Sequence, residues 1–325
     1  MGILRDAGVA REGACVNAMD LRQIGYFLTV FEERSFSAAA RKIGVVQPAL
    51  SMQIRHLEDE LGMRLFERRS QGLVPTAAGE RFYERFLPIS REIVKATDDL
   101  RQHAGGEGLS GRIRFGCPPT FFKAILGHVL PAFAAEYPNV DLHVVEGYGG
   151  TLHEWVRNGD LDFAFGTPPR DETGLTSERV VAEQLVLVSG RPIAGDSFVP
   201  CDLSAIDGLN LFIPTPRQVL GEIVRDHITN GRIRIRRTIV MDSYLGVLEC
   251  ARTSDWGALI PVGGILGELA SGLFIYPIRQ PVMSFAWHVI RQQRFPLTDA
   301  ATAVVNLIDR QLLGIDERWR GILDR

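Results

Sequence analysis

Cysteine is scarce in this chain: Cys15, Cys117, Cys201 and Cys250 are the only four in 325 residues, and no two share a Cys-x-x-Cys spacing. That excludes a local zinc site and gives no disulfide framework, so a reduced cytoplasm is the expected compartment. The seven histidines do not gather at ligand spacing, and neither a metal nor another cofactor is expected. Long apolar runs are missing too: none approaches the ~18–20 residues of a membrane span, so no membrane partner is expected. Residues 1–18 lack the apolar core of a signal peptide and read as a disordered extension ahead of a second methionine, Met19; export is not expected. Nor is positive charge in excess. The formal net charge is −3, so a case for nucleic acid must come from pattern rather than composition. No Gly-x-Ser-x-Gly, Walker A, His-Glu-x-x-His or dinucleotide glycine turn falls where a strand would meet a helix, and this argues against an enzyme.

What is present is enough chain for two domains, 46% hydrophobic and 23% charged, the make-up of an ordinary globular protein. Leu21, Ile24, Phe27, Leu28 and Phe31 recur at helical spacing and predict an amphipathic helix. Ser37 is the predicted N-cap of a second, small-residue helix over 38–43, and Gly44 its permissive turn. A third helix begins near Gln47, with Leu50, Ile54, Leu57 and Leu61 as one narrow apolar stripe. Gln47, Pro48, Ser51, Met52 and Arg55 lie off that stripe. A short helix, a tight turn and a helix with a polar outer face form the helix-turn-helix pattern, whose second helix enters the major groove by its N-terminal end. There the Gln47 amide suits bidentate pairing with adenine, and Arg55 suits a phosphate. Residues 64–68 and 73–75 read as the strands of a wing, with Arg68 and Arg69 at its tip placed for flanking phosphates or the minor groove. Taken helix by helix, a plain three-helix packing unit with a solvated outer face fits equally well.

The whole run decides between them. Met19-Asp20-Leu21-Arg22-Gln23, Phe27, Ser35-Phe36-Ser37-Ala38-Ala39-Ala40 and Gln47-Pro48-Ala49-Leu50-Ser51 are followed by Gln53-Ile54, Leu57-Glu58, Leu61-Gly62, Arg64-Leu65-Phe66-Glu67-Arg68, Thr76, Ala78 and Gly79. In that order they resemble the LysR-type transcriptional regulators nearly end to end. The resemblance implies a winged helix-turn-helix over 19–75 that binds double-stranded DNA, with Ser37 in the DNA-facing set. Two positions depart. Val46 stands where Ser or Thr is common, which costs about 1 kcal/mol of capping. Met52 stands where a basic or polar residue is common, which puts base readout at that point in doubt.

Thr76 is a good N-cap for a linker helix over 76–104. Along it Phe82, Phe86, Ile89, Ile93, Ala96 and Leu100 alternate spacings of four and three, a heptad seam. Such a seam packs on the protein's own body or on a second copy; the resemblance implies the latter, a homodimer that assembles further into a tetramer. Paired recognition helices then require a roughly palindromic site. Pro88 predicts a kink, and Gly105-Gly106-Glu107-Gly108 a flexible hinge.

Beyond residue 111, strands and helices alternate in a βαβ series, which predicts a parallel sheet with right-handed crossovers. The fold class is therefore α+β multidomain. The resemblance implies an α/β effector domain over 111–313 of two Rossmann-like lobes, similar to type 2 periplasmic binding proteins. Lobe I would cover about 111–186 and 290–313, lobe II about 187–289, with crossing strands near 186–189 and 286–290 and a C-terminal tail at 314–325. Ligands of open α/β sheets bind beyond the carboxyl ends of strands, where helix N-termini point inward. Loops so placed nominate Pro119, Thr120, Tyr148, Thr167, Thr215, Arg217, Ser243 and Val262; Thr120 matches the Ser or Thr that the family places at the effector. Hydroxyls and a helix terminus suit an organic acid, with Arg217 as its partner. Each loop residue reads equally well as a cap or turn former. Cys117 beside that helix N-terminus would have a lowered pKa, against its reading as a structural small residue. The stretch 144–150, with Leu152, Glu154-Trp155 and Leu161-Asp162, is similar to the nitrogen-assimilation control regulators.

The expected function is a sequence-specific, effector-controlled transcriptional regulator that works with RNA polymerase. Two rivals stand beside it. One is a cytoplasmic small-molecule binder whose N-terminal helices serve only assembly. The other, a transport solute-binding protein, fits the C-terminal domain but not the helix-turn-helix.

Overall fold

A computed structural model describes residues 19–69, 72–104, 108–171 and 173–324. The extension 1–18, residues 70–71 of the wing and residues 105–107 of the predicted hinge lie outside them. The chain divides into two compact units, Met1–Thr97 and Asp98–Arg325.

The first unit holds α1 (Leu21–Glu33), α2 (Phe36–Ile43), α3 (Gln47–Leu61), the antiparallel hairpin β1 (Phe66–Arg69) and β2 (Gly72–Pro75), and the greater part of α4 (Ala77–Ala104). Asp20 and Gln23 close a capping box on α1, with Gln23 N–H donating to Asp20 Oδ1 at 2.8 Å. Ser35 rather than Ser37 caps α2. The helix starts at Phe36, the extended backbone of Ser35 lets its Oγ accept from Ala38 N–H at 3.3 Å, and Ser37 lies exposed in the first turn. Gly44 ends α2 at φ 72°, a conformation that costs glycine little. Val46 precedes α3 with no side-chain cap. Thr76 Oγ1 accepts from Gly79 N–H at 3.1 Å at the start of α4.

The core of this unit joins Ile24, Phe27, Leu50, Ile54 and Leu57 to Phe66 and Phe82. Phe82 meets Phe27 edge-on at 4.6 Å, and Phe86 stacks on Phe82 at 4.1 Å. The first two positions of the predicted dimer seam therefore serve this unit's own core, because the start of α4 supplies it with aromatic surface. Phe82 is only 7% exposed, whereas Ile89 is 47% and Leu100 72% exposed. Pro88 lies inside α4, which runs on to Ala104.

In the second unit the order is β3 (Gly111–Cys117), α5 (Pro119–Phe121), a π-helical turn Phe122–Leu126, α6 (Gly127–Glu136), β4 (Val140–Glu146), α7 (Gly149–Arg157), β5 (Phe163–Gly166) and β6 (Leu175–Ser189). Then come β7 (Cys201–Asp202), β8 (Leu209–Ile213), α8 (Val219–Thr229), β9 (Ile235–Val240), α9 (Tyr244–Arg252), β10 (Gly257–Pro261), α10 (Val262–Ile265), β11 (Phe274–Gln280), β12 (Ser284–Gln292) and α11 (Asp299–Leu323). The main path of the sheet reads β4-β3-β5-β12-β6-β10-β8-β9. Strands β3, β4 and β5 are parallel, as are β8, β9 and β10.

Strand β6 joins the two lobes. Leu175 to Gln184 pair with β12, while Leu185 to Ser189 lie between β10 and β11. The chain thus changes lobes at Gln184/Leu185 and has returned by Ser284. Both crossings come earlier than the predicted 186–189 and 286–290, because β12 pairs with β6 along its whole length. The predicted C-terminal tail is also corrected. Residues 314–323 continue α11, since the stripe Ile308, Leu312, Ile315 and Trp319 stays buried past Gly314.

Candidate DNA-reading face and effector cleft

On α3 the residues Leu50, Ile54 and Leu57 are buried, and Gln47, Pro48, Met52 and Arg55 are exposed; Ser51 is half-buried at the edge. The apolar stripe fixes one face of the helix in the core and leaves the predicted contact set on the other. Gln23 Nε2 donates to Gln53 Oε1 at 3.3 Å, tying α1 to α3 beside that face. On the hairpin Arg68 and Arg69 are exposed, with Arg69 paired to Glu67. Glu58, quoted above only as part of a motif, is 5% exposed and sets the wing. Its Oε1 accepts Leu65 N–H at 2.8 Å and Phe66 N–H at 3.1 Å, and its Oε2 accepts from Arg64 at 2.7 Å.

In the second unit the loops after β3, β4, β5, β8, β9 and the end of β10 meet around an inner chamber. Thr120, Tyr148, Thr167 and Ser243 of the predicted set line it, with Trp287, Phe285, Leu259 and Val247 among its apolar walls and no Lys or Arg in its lining. Tyr148, Thr167, Gln218 and Asp242 also border a larger outer chamber, open to solvent, which Arg157, Arg170 and Arg217 line. Tyr148 Oη donates to the Asp242 carbonyl at 2.6 Å, from the first lobe to the second. Burial, then Glu146 and Asp242, push the Tyr148 phenol above its ordinary pKa, so it keeps the proton it donates. An Arg170–Glu222 ion pair also crosses between the lobes.

Several nominations need correcting. Pro119 is buried at the first position of α5, where its missing N–H costs nothing, and Pro118 lines the chamber instead. Thr215 borders only the outer chamber, and its N–H and hydroxyl both donate to the Asp242 carboxylate, at 2.8 and 2.9 Å. Arg217 is exposed in the outer chamber, not the inner. Val262 faces away, into a rear cavity with Glu183, Ile315 and Trp319. Ser243 lines the inner chamber and also caps α9, accepting from Gly246 N–H at 3.1 Å. Cys117 is fully buried, and burial followed by Glu146 pushes its thiol well above the ordinary value rather than below it.

Asp242, Gln218, Phe285 and Trp287 complete the cleft and were not nominated. Asp242 was legible as an acidic residue between a strand end and a helix start; the aromatic pair lies within β12 and reads as core. Among the described residues no group of three or more His, Cys, Asp or Glu could hold a metal, and no helix is long and apolar enough to cross a membrane.

A winged helix-turn-helix in one unit and a two-lobed cleft in the other define a DNA-binding transcriptional regulator with an effector-binding domain. Residues 21–80 match the family described as bacterial regulatory helix-turn-helix protein, lysR family, and residues 106–313 match the LysR substrate binding domain. The chain belongs to the LysR family. It is 29% identical over 293 residues to the nitrogen assimilation regulatory protein Nac of Escherichia coli (strain K12), covering 89% of this chain and 94% of that one. It is 30% identical over 268 residues to the transcriptional regulator PcaQ of Agrobacterium fabrum, covering 79% and 83%. Its fold is similar to a full-length OxyR variant of Pseudomonas aeruginosa, with a TM-score of 0.65 at 18% identity over 91% of this chain and 95% of that one.

Proposed function

We propose that α3 reads operator DNA through Gln47, Pro48, Ser51, Met52 and Arg55, with Ser37, Arg68 and Arg69 on flanking phosphates, and that two copies do so on one roughly palindromic site. The observation that carries this reading is the division of α3, with Leu50, Ile54 and Leu57 buried and Gln47, Pro48, Met52 and Arg55 exposed. Exposed Ile89 and Leu100, with half-buried Ile93 between them, offer the part of the α4 seam that a second copy would cover. A dimer also compensates for a modest charge, since two weakly basic faces act on one duplex. RNA polymerase is the partner through which occupancy becomes transcription.

The effector is an organic acid held between the lobes. Its apolar body lies against Trp287 and Phe285, Thr120 and Tyr148 offer hydroxyls, and Arg217 supplies positive charge from the outer chamber. The test is a mobility-shift titration with the DNA upstream of the neighbouring gene, with and without a panel of organic acids. A specific shift that an acid alters is the expected result. A folded sample that shifts no fragment at low salt ends the DNA reading; a shift that no acid alters ends the effector reading.

A further inference from the structure

Glu183 is the deepest carboxylate among the described residues of the second unit, 5% exposed, on the strand that both lobes share. It lies opposite Phe285 in the β6–β12 register, two residues before β6 passes into the second sheet. Antiparallel register puts Glu183, Phe285 and Trp287 on one face, and the diagonal from Glu183 to Trp287 is within reach of long side chains. The Trp287 indole N–H donates to Glu183 Oε2. The other oxygen, Oε1, accepts the backbone N–H of Gly263, in the first turn of α10.

The two donors come from different lobes. Trp287 belongs to β12, in the first lobe's sheet, and lines the inner chamber. Gly263 follows β10 of the second lobe, and the next residue's carbonyl accepts from the hydroxyl of Tyr244, another chamber-lining residue, at 2.6 Å. A Cβ at Gly263 would lie 2.8 Å from Glu183 Oε1, 2.9 Å from Ala124 and 3.0 Å from Ile315, so the backbone there is pressed onto the carboxylate. Phe121 and Phe285 hold the faces of Trp287 edge-on at 5.1 and 4.8 Å, and Glu183 supplies its polar hold. Glu183 itself borders the rear cavity and not the chamber.

We propose that Glu183 is the positioning residue of the effector cleft: it holds Trp287 of one lobe and Gly263 of the other in a fixed relation, and so sets effector affinity without touching the effector. The proposal rests on the organic-acid reading above. A carboxylate fits this task because its two oxygens accept the two N–H groups, and while it is ionised each bond is stronger than one to a neutral acceptor. Burial pushes its pKa above the ordinary carboxylate value, and the Trp287 and Gly263 N–H donors offset only part of that rise.

The experiment uses the full chain, with benzoate and phenylacetate as probes. Calorimetry gives affinity from pH 5 to 8, and the Trp287 indole N–H resonance, assigned by its loss in Trp287→Phe, reports the hydrogen bond. In Glu183→Gln, with melting and DNA shift retained, the resonance should move upfield while the other indoles stay. Affinity should fall about tenfold, as expected for loss of a charge-assisted hydrogen bond, and its pH dependence should flatten. An unmoved resonance, or an unchanged affinity beside a moved one, overturns the proposal. If the variant does not fold, the wild type decides: the indole shift and probe affinity must follow one pH curve, and separate curves overturn it. If neither acid binds the wild type, those two probes are ruled out as effectors. Glu183 is then judged by exchange of the Gly263 amide, which must be slower in wild type than in Glu183→Gln.

Discussion

The Tyr148 hydroxyl donates to the carbonyl of Asp242 at 2.6 Å, so that a first-lobe tyrosine closes onto the loop that starts α9 in the second. Asp242 immediately precedes Ser243, the N-cap of α9, so this one bond ties Tyr148 to the start of that helix. Tyr148→Phe keeps the ring and removes the bond. The loss should be about 1 kcal/mol, and amides in the first turn of α9 should exchange about fivefold faster. Hydrogen exchange measures this directly; unchanged rates would mean that the two lobes are held together without Tyr148.

Gln47 and Arg55 share the exposed face of α3 but differ in chemistry. Gln47→Ala should cost ~1–3 kcal/mol on the specific site and leave binding to unrelated DNA alone. Arg55→Ala should weaken all sequences alike and reduce the salt slope by about one. Titrations at several salt concentrations separate the two. If both variants lose affinity uniformly, Gln47 is a phosphate contact as well.

Glu58 accepts two backbone N–H groups that begin the wing. Glu58→Ala leaves both buried donors without their acceptor, a loss of about 3 kcal/mol. Denaturant unfolding followed by circular dichroism gives the figure, and Glu58→Gln, which keeps one acceptor oxygen, should fall between. A loss under half of that would show that solvent reaches Leu65 and Phe66.

The helices of the first unit were legible because their apolar residues recur at helical spacing and glycine stops two of them. The cap of α2 was misread at Ser37 because serines at 35 and 37 flank the same start, and only backbone geometry separates them. The end of α11 was misread for a related reason: Gly314 looks like a stop. Yet Ile308, Leu312, Ile315 and Trp319 continue at spacings of four, three and four, so burial outweighs the local glycine cost of about 1 kcal/mol. In the cleft, loops after strand ends were readable from topology, whereas Glu183 was not. Its partners lie 80 and 104 residues away, and no local pattern marks a carboxylate that finds its donors across a sheet.

Of the predicted seam, Ile89 and Leu100 keep their apolar surface exposed, and Phe82 does not. Replacing both with Asp should leave the first unit folded, since neither joins its core. Loss of two buried aliphatic side chains from a helix pair corresponds to about 3 kcal/mol, or roughly 100-fold in the dimer dissociation constant. Sedimentation velocity across a concentration series reads it, with Phe82→Ala as the contrast: that change should lower the melting temperature rather than the association. A double variant that sediments as wild type places the dimer contact elsewhere.

Asp309 on α11 carries a buried Oδ1 with no hydrogen-bond partner among the described residues. Burial, and then the negative charge of Glu178, push its carboxyl up to about 6 from an ordinary 3.8. The native state therefore binds this proton more tightly than the unfolded chain does. Its stabilising contribution is full below about 3.8 and is lost as pH rises through 6. Two pKa units correspond to ~3 kcal/mol, which solvent screening of the half-exposed group reduces to about 1. Asp309→Asn keeps the shape and removes the charge, so it should melt higher than wild type at pH 8, with the advantage shrinking steadily towards pH 5. Melting curves across that range decide it: an advantage that is flat with pH would come from packing, and a variant less stable at pH 8 would mean that the ionised carboxylate has a partner.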